Sequence, residues 1–260
     1  MTPYLTHFAV LFYGLCIGSF LNVCIYRIPE ERSIVRPGSS CPSCGTPIRW
    51  FDNIPVLSYL ILRARCRHCQ THVSMRYPAI ELLTGLFALV SLLFFGVTAN
   101  ALVHFLFYSV LITITFIDID HGIIPDVISK PGIPIFFALS FLVPTVTWQD
   151  AALGILAGGG SLWAVAILYK LVTKIDGMGF GDVKLLAMMG GFIGWKGVVF
   201  TIFFSSLTGT VIGLALMLVK GRNMKMSVPY GPFLAAGGVA YTLYGQAAIA
   251  WYFNMTFGGF

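Results

Sequence analysis

Two sets of side chains in this sequence are placed where they could do chemistry. One is a few aspartates at the ends of long apolar runs; the other is four cysteines in two close pairs. The run LITITFIDIDHGIIPD at 111–126 ends on Asp118 and Asp120 and turns at Pro125–Asp126. A carboxylate at the end of a membrane-length apolar stretch is costly and marks a functional site by default. A further acid, Asp182, follows GMGFG and opens another apolar segment. Two carboxyls held close together cannot both ionise. They share one proton, so that one activates a water while the other polarises a carbonyl. Asp118 and Asp182 are therefore expected to form a catalytic pair for aspartyl peptide hydrolysis. Gly179 and Gly181 would remove side chains where a peptide backbone must approach. At a helix start, Asp182 is the partner that the macrodipole favours as the anion.

Taken singly, these acids have plainer readings. Asp182 would be an N-cap and Asp118 an interfacial residue, and Asp120, two residues farther out, fits the interfacial role better. Asp126 reads as a cap, and His121 needs no role. Two acids on one membrane face, one of them behind GxGD, favour catalysis.

Cys41, Cys44, Cys66 and Cys69 form the knuckles CPSC and CRHC. Four thiolates at this spacing suit a tetrahedral zinc of the ribbon type, which would fold a loop too small to hold a core alone. A disulfide or redox pair is the alternative, disfavoured if the loop is cytoplasmic. His68 and His72 are expected bystanders. Cys16 and Cys24 read as small buried apolar residues.

The elements that must position these groups are helices in a membrane. Hydrophobic residues make up 57% and charged residues 10%, with mean hydropathy +0.86, whereas soluble domains carry about a quarter charged residues. The net charge of +6 is spread over short connections rather than one basic face, which argues against nucleic acid. Apolar runs lie at 4–26, 79–97, 101–117, 127–146, 151–172, 183–195, 197–219 and 231–253. This predicts an all-α polytopic membrane protein with about eight transmembrane helices, the short 183–195 run being tilted or re-entrant. The first run lacks a basic flank and cleavage site and is expected to be a retained helix. Residues 27–78 carry eight arginines against three acids. With that loop in the cytoplasm, every Lys and Arg except Lys196 falls on the cytoplasmic side, while Trp148, Trp195 and Trp251 fall at the outer interface. Both termini are then outside, and Asp118 and Asp182 share the cytoplasmic face. The pairs Gly14/Gly18, Gly154/Gly158, Gly190/Gly194 and Gly209/Gly213 predict close helix packing.

The combination GSFLNVCIYRIP at 18–29, the cysteine tetrad, NIPVLSYL at 53–60, RYPAIELLTG at 76–85, FIDIDHGIIPD at 116–126 and GMGFGDVKLL at 177–186 resembles the bacterial type IV prepilin peptidases. The resemblance implies an inner-membrane enzyme of type IV pilus or type II secretion systems. Such an enzyme cleaves the basic leader of prepilins or pseudopilins at the cytoplasmic face, then N-methylates the new N-terminus with S-adenosylmethionine. It maps the catalytic aspartates onto Asp118 and Asp182. It also implies an N-terminal methyltransferase-associated region at 1–100, including the four-cysteine loop at 27–78, and a peptidase domain at 101–260. Arg27, Arg76 and Glu81 are candidate methyl-donor residues, with membrane-interface anchoring and capping as the equal alternative; no Gly-rich nucleotide fingerprint is present. One departure is RARC, with Ala64 where many members carry Gly. Membrane lipid and prepilins are the expected partners; a homo-oligomer is left open. Two other readings stand beside this one. One is a GxGD intramembrane protease without methyl transfer, and the other a non-enzymatic scaffold or transporter with a zinc-ribbon docking loop, which would be expected to carry midplane polar residues.

Overall fold

The computed structural model describes residues 3–174, 179–220 and 229–257. Gly177 of the GMGFGD motif, and Arg222 and Lys225 of the basic pattern, lie outside these. Among the described residues there is no β-strand, only two isolated bridges in the cysteine loop. The helices are α1 (Pro3–Arg27), α2 (Leu57–Ile61), α3 (Arg76–Phe95), α4 (Ala99–His121), α5 (Asp126–Ser140), α6 (Trp148–Thr173), α7 (Phe180–Lys220), α8 (Gly231–Ala240) and α9 (Gln246–Phe257). The chain divides into two compact units, residues 1–117 and 118–260.

In the first unit, α1 packs on α3 through the small residues that the GxxxG spacing predicts. A Cβ on Gly14 would lie 2.7 Å from that of Ala88, and one on Gly18 would lie 2.6 Å from the Glu81 Cα. Without a hydrophobic drive in lipid, such close backbone approach is what holds helices together. The loop from Ile28 to Met75 carries only a short 3₁₀ turn (Trp50–Asn53) and α2, so its shape rests on turns and side-chain bonds.

In the second unit, α6 and α7 form the tightest seam. A Cβ on either Gly154 or Gly190 would strike the other's carbonyl oxygen. The Gly209/Gly213 pair behaves differently, for among the described residues a Cβ on Gly213 would meet nothing within 4 Å. The expected short crossing is the first half of α7, broken at Gly194 with φ 73°, a left-handed backbone that glycine adopts without strain. Leu185, Leu186, Met188 and Met189 along it are completely buried. It is surrounded by protein rather than lipid, so it need not match the bilayer thickness. Asp150 at the start of α6 accepts a bond from the Trp195 indole at 3.1 Å, just beyond the break.

Among the described residues, six helices are long and apolar enough to cross a membrane. The expected 127–146 run stops earlier, at Ser140. There the backbone tightens to i→i+3 bonds, and Pro144 beyond has no N–H to continue the ladder. The last run is two helices joined by a π-turn at Tyr241–Gly245. With α7 divided at Gly194, the helix order still follows the eight expected runs.

Candidate active site and metal centre

The second unit assembles the acids. Asp118 lies three residues before the end of α4 and is 6% exposed, whereas Asp120 and His121 face outward. The difference is helical geometry: two residues turn a side chain by about 200°, to the opposite face. Asp118 Oδ2 accepts a bond from the Gly231 backbone N–H at 3.0 Å. Gly231 is the first residue of α8, and a Cβ there would lie 2.6 Å from the same oxygen. Asp182, half-buried in the first turn of α7, lies within electrostatic reach of Asp118. Both carboxylates thus stand at helix N-termini, where unpaired N–H groups favour negative charge.

Glycine fixes this geometry in two ways. A Cβ on Gly181 would sit 2.9 Å from the Ile124 Cβ, so the GFGD turn lies flat against the segment between α4 and α5. Among the described residues, a Cβ on Gly179 would meet nothing nearer than the Asp182 carboxylate oxygen at 3.9 Å. Asp126, expected to cap α5, instead pairs with Lys130 at 2.8 Å and with Lys184. Lys184 is two positions from Asp182, and this pairing holds its ammonium to a third acid.

The first unit assembles the thiols. The four cysteine Sγ atoms lie within 4.8 Å of one another, with Cys41 and Cys69 3.7 Å apart. A tetrahedral zinc with Zn–S near 2.3 Å needs sulfur separations of about 3.8 Å, and a disulfide about 2.05 Å. The tetrad therefore fits a metal and is not disulfide-bonded. The two knuckles are near copies. The Cys41 N–H donates to the Thr46 carbonyl and the Gly45 N–H to the Cys41 carbonyl; Cys66, Thr71 and Gln70 repeat the pattern. Cys69 is pushed down to about 6, chiefly by the Thr71 hydroxyl and backbone N–H beside its sulfur. A ready thiolate is what a metal ligand must be. His68 and His72 are exposed and outside the cluster. The Arg67 guanidinium grips Asp52 through two nitrogens, at 2.9 and 2.6 Å, and its bond and charge hold that carboxyl below the usual range.

Residues 12–95 match the bacterial peptidase A24 N-terminal domain, and residues 105–214 match the type IV leader peptidase family. The prepilin leader peptidase/N-methyltransferase of Aeromonas salmonicida (strain A449) is 36% identical, the alignment covering 97% of this chain and 95% of the relative. Relatives of the same name from Myxococcus xanthus (strain DK1622) and Pseudomonas aeruginosa (PAO1) are 42% and 36% identical. Those alignments cover 83% and 95% of this chain, and 65% and 92% of the relatives. No solved structure matches. The chain belongs to the type IV leader peptidase family. With its six apolar helices it is a multi-pass protein of the inner membrane.

The three candidate methyl-donor residues all lie in the first unit of this family member. The Arg27 guanidinium donates to the Ser33, Pro37 and Gly38 carbonyls at 2.9, 2.8 and 3.3 Å. Arg76 reaches the Phe116 carbonyl at 3.2 Å and stacks over its ring. Glu81 is 8% exposed; it accepts the Val56 N–H at 2.7 Å and lies in hydrogen-bond reach of Ser19. Val56 has φ 61° and ψ −48°, and the Leu57 N–H bonds to the Pro55 carbonyl. Together these form a γ-turn of the strained hand, rare for a β-branched residue. Ala64 has φ 59°, a backbone that glycine adopts without strain. Gly231 escaped the sequence reading. The available signal was PYGP at 229–232, a glycine between prolines at the head of an apolar run.

Proposed function

We propose that this chain is a bifunctional prepilin leader peptidase and N-methyltransferase whose proteolytic pair is Asp118 and Asp182, open to the cytoplasmic face. The observation that carries the dyad is the Gly231 N–H on a buried Asp118 with Asp182 in electrostatic reach. It also supports a division of roles. The macrodipole at Asp182 is worth roughly 0.3–1 kcal/mol, while a hydrogen bond to a charged group contributes about 1.5–3 kcal/mol. Asp118 is therefore the ionised base and Asp182 holds the proton, the reverse of the expectation from helix position alone. With Oδ2 held by Gly231, Asp118 Oδ1 takes a proton from water as the oxygen attacks the scissile carbonyl. Asp182 donates to the carbonyl oxygen. Collapse of the tetrahedral intermediate returns that proton to Asp182, and Asp118 protonates the leaving amine. Gly179, without a side chain beside Asp182, lets the substrate backbone approach.

Zinc on Cys41, Cys44, Cys66 and Cys69 would hold the loop and do no chemistry, because four protein ligands leave no open position. Residues 1–100 serve methyl transfer and 101–260 serve cleavage. S-Adenosylmethionine, when bound, would supply an electrophilic methyl group for the freed N-terminal amine. Glu81 and the Arg27-organised loop would bind and orient the donor. Incubation with a prepilin and methyl-labelled S-adenosylmethionine tests both activities: a shortened, labelled pilin is expected. A shortened, unlabelled product removes the methyltransferase half, and an uncut prepilin removes the peptidase.

A further inference from the structure

Cys16, Ser19, Phe20, Val23 and Arg27 recur at helical spacing, so they form one stripe on α1, on the order of 16 Å long. They line one side of a cavity of ≈ 250 Å³ whose other side is the segment 34–39 together with Asn53. Arg27 builds the second wall through its three bonds to loop carbonyls. Phe20, Ile34 and Val35 make the cavity partly apolar. Ser19 connects it to the buried Glu81, which also lies in electrostatic reach of Cys16. Asn53 comes from the strand of chain that enters the strained Val56 turn, and that turn hangs on the same carboxylate. Strain of this kind persists only where its surroundings enforce it, and it clusters at ligand sites.

We infer that this cavity is the methyl-donor site, taking an adenosyl sulfonium with its base against Phe20 and Val35 and its cationic end towards Ser19 and the Glu81 carboxylate. The inference rests on the methyltransferase half of the proposed function and gives it a place. Small-molecule sites run from about 300 to 1,000 Å³, so this volume suits a nucleoside-sized ligand with part of its length at the mouth, and excludes a pilin helix. The lining carries the Arg27 guanidinium, which is occupied by three loop carbonyls, so at the other end the buried Glu81 carboxylate behind Ser19 favours a cation over the neutral thioether product. Donor and product are thus distinguished at one end while sharing the base contact.

The test measures binding rather than turnover. Calorimetry with S-adenosylhomocysteine on the full-length protein in detergent is compared among wild type, Ser19→Phe, which fills the cavity, and Asn53→Ala, which removes one amide. Melting temperatures report folding. Ser19→Phe is expected to weaken binding by more than about tenfold, and Asn53→Ala by about fivefold, as for a lost hydrogen bond. In parallel, mass spectrometry follows alkylation of Cys16 in the wild-type protein, and the ligand is expected to slow it while leaving Cys24 unchanged. Wild-type binding that both variants retain, with Cys16 unprotected, overturns the location and leaves the methyltransferase intact. Absent wild-type binding together with absent methyl transfer overturns that half of the function itself. If Ser19→Phe does not fold, Asn53→Ala and the Cys16 protection decide alone.

Discussion

Each unit buries one carboxylate against a backbone N–H from far along the chain, and the two arrangements work in opposite directions. Glu81 accepts from Val56 at 2.7 Å, and Asp118 accepts from Gly231 at 3.0 Å. The Val56 donor sits in a strained turn, so the carboxylate holds the backbone. The Gly231 donor starts a regular helix, anchored by the Tyr230 hydroxyl 2.7 Å from Ser205 Oγ on α7, so the backbone holds the carboxylate. A carboxylate spent on holding a loop cannot also move protons freely. One fixed by a rigid helix end keeps its second oxygen for chemistry, as preorganised sites require.

The comparison breaks most visibly at Asp118. Asp118→Asn keeps an acceptor for the Gly231 N–H but cannot take a proton. Prepilin cleavage should fall by at least about 10³-fold, given what general acid–base catalysis contributes, while methylation of an already cleaved pilin persists. Cleavage surviving in Asp118→Asn would remove it from the mechanism. Gly231→Ala comes next. Its Cβ would lie 2.6 Å from Asp118 Oδ2, so either α8 or the carboxylate must shift, and misplacement of about 1 Å costs roughly 10²-fold. Unchanged cleavage kinetics in this variant would mean that the N–H does not position the base.

Glu81 sharpens the other side. Glu81→Ala leaves the buried Val56 N–H without its acceptor, at a cost of about 1–3 kcal/mol. Glu81→Gln, whose amide oxygen still accepts, should cost clearly less. Thermal melting in detergent checks the order, and equal losses would mean that the carboxylate does not anchor the turn.

How much of this could be read in the chain follows from the same contrast. Helix-bound features were legible because they are periodic or local: the apolar runs, GxxxG seams such as Gly14/Gly18, the acids at run ends and the paired CxxC knuckles. What escaped depends on contacts distant in sequence. Gly231 lies 113 positions from Asp118, and no local pattern says that its N–H will find that oxygen. The ion pairs of Asp126 with Lys130 and Lys184 displaced a plausible cap for the same reason. The Arg27 side chain, read as a donor contact or an interface anchor, turned out to organise its own loop. Loops lack a period, so their internal bonds have no signature.

The metal centre gives a milder test of the first unit. In metal-free protein, Cys69 titrates near 6, below an ordinary thiol, so its thiolate persists at neutral pH and is lost as the pH falls through that value. Alkylation mapped by mass spectrometry should be fastest at Cys69 among the four, with a half-maximal rate near pH 6. Zinc should abolish it. A half-maximal rate in the range of an ordinary thiol, about 8.5, would mean that Thr71 does not stabilise the anion.

The smallest effect separates strain that is held from strain that is merely tolerated. Val56 and Ala64 both have left-handed backbones, but only Val56 is gripped by a buried carboxylate. Ala64 is kept in place by ordinary backbone bonds, its N–H to Tyr59 and its carbonyl from Val73, and glycine would keep both. Ala64→Gly relieves the left-handed penalty of about 1–2 kcal/mol but gives the unfolded chain more freedom, which opposes it by roughly 0.4–1 kcal/mol. The net expectation is a gain of up to about 1 kcal/mol in loop stability, read as slower zinc loss to a chelator. Faster zinc loss would show that the Ala64 methyl contributes packing the loop needs.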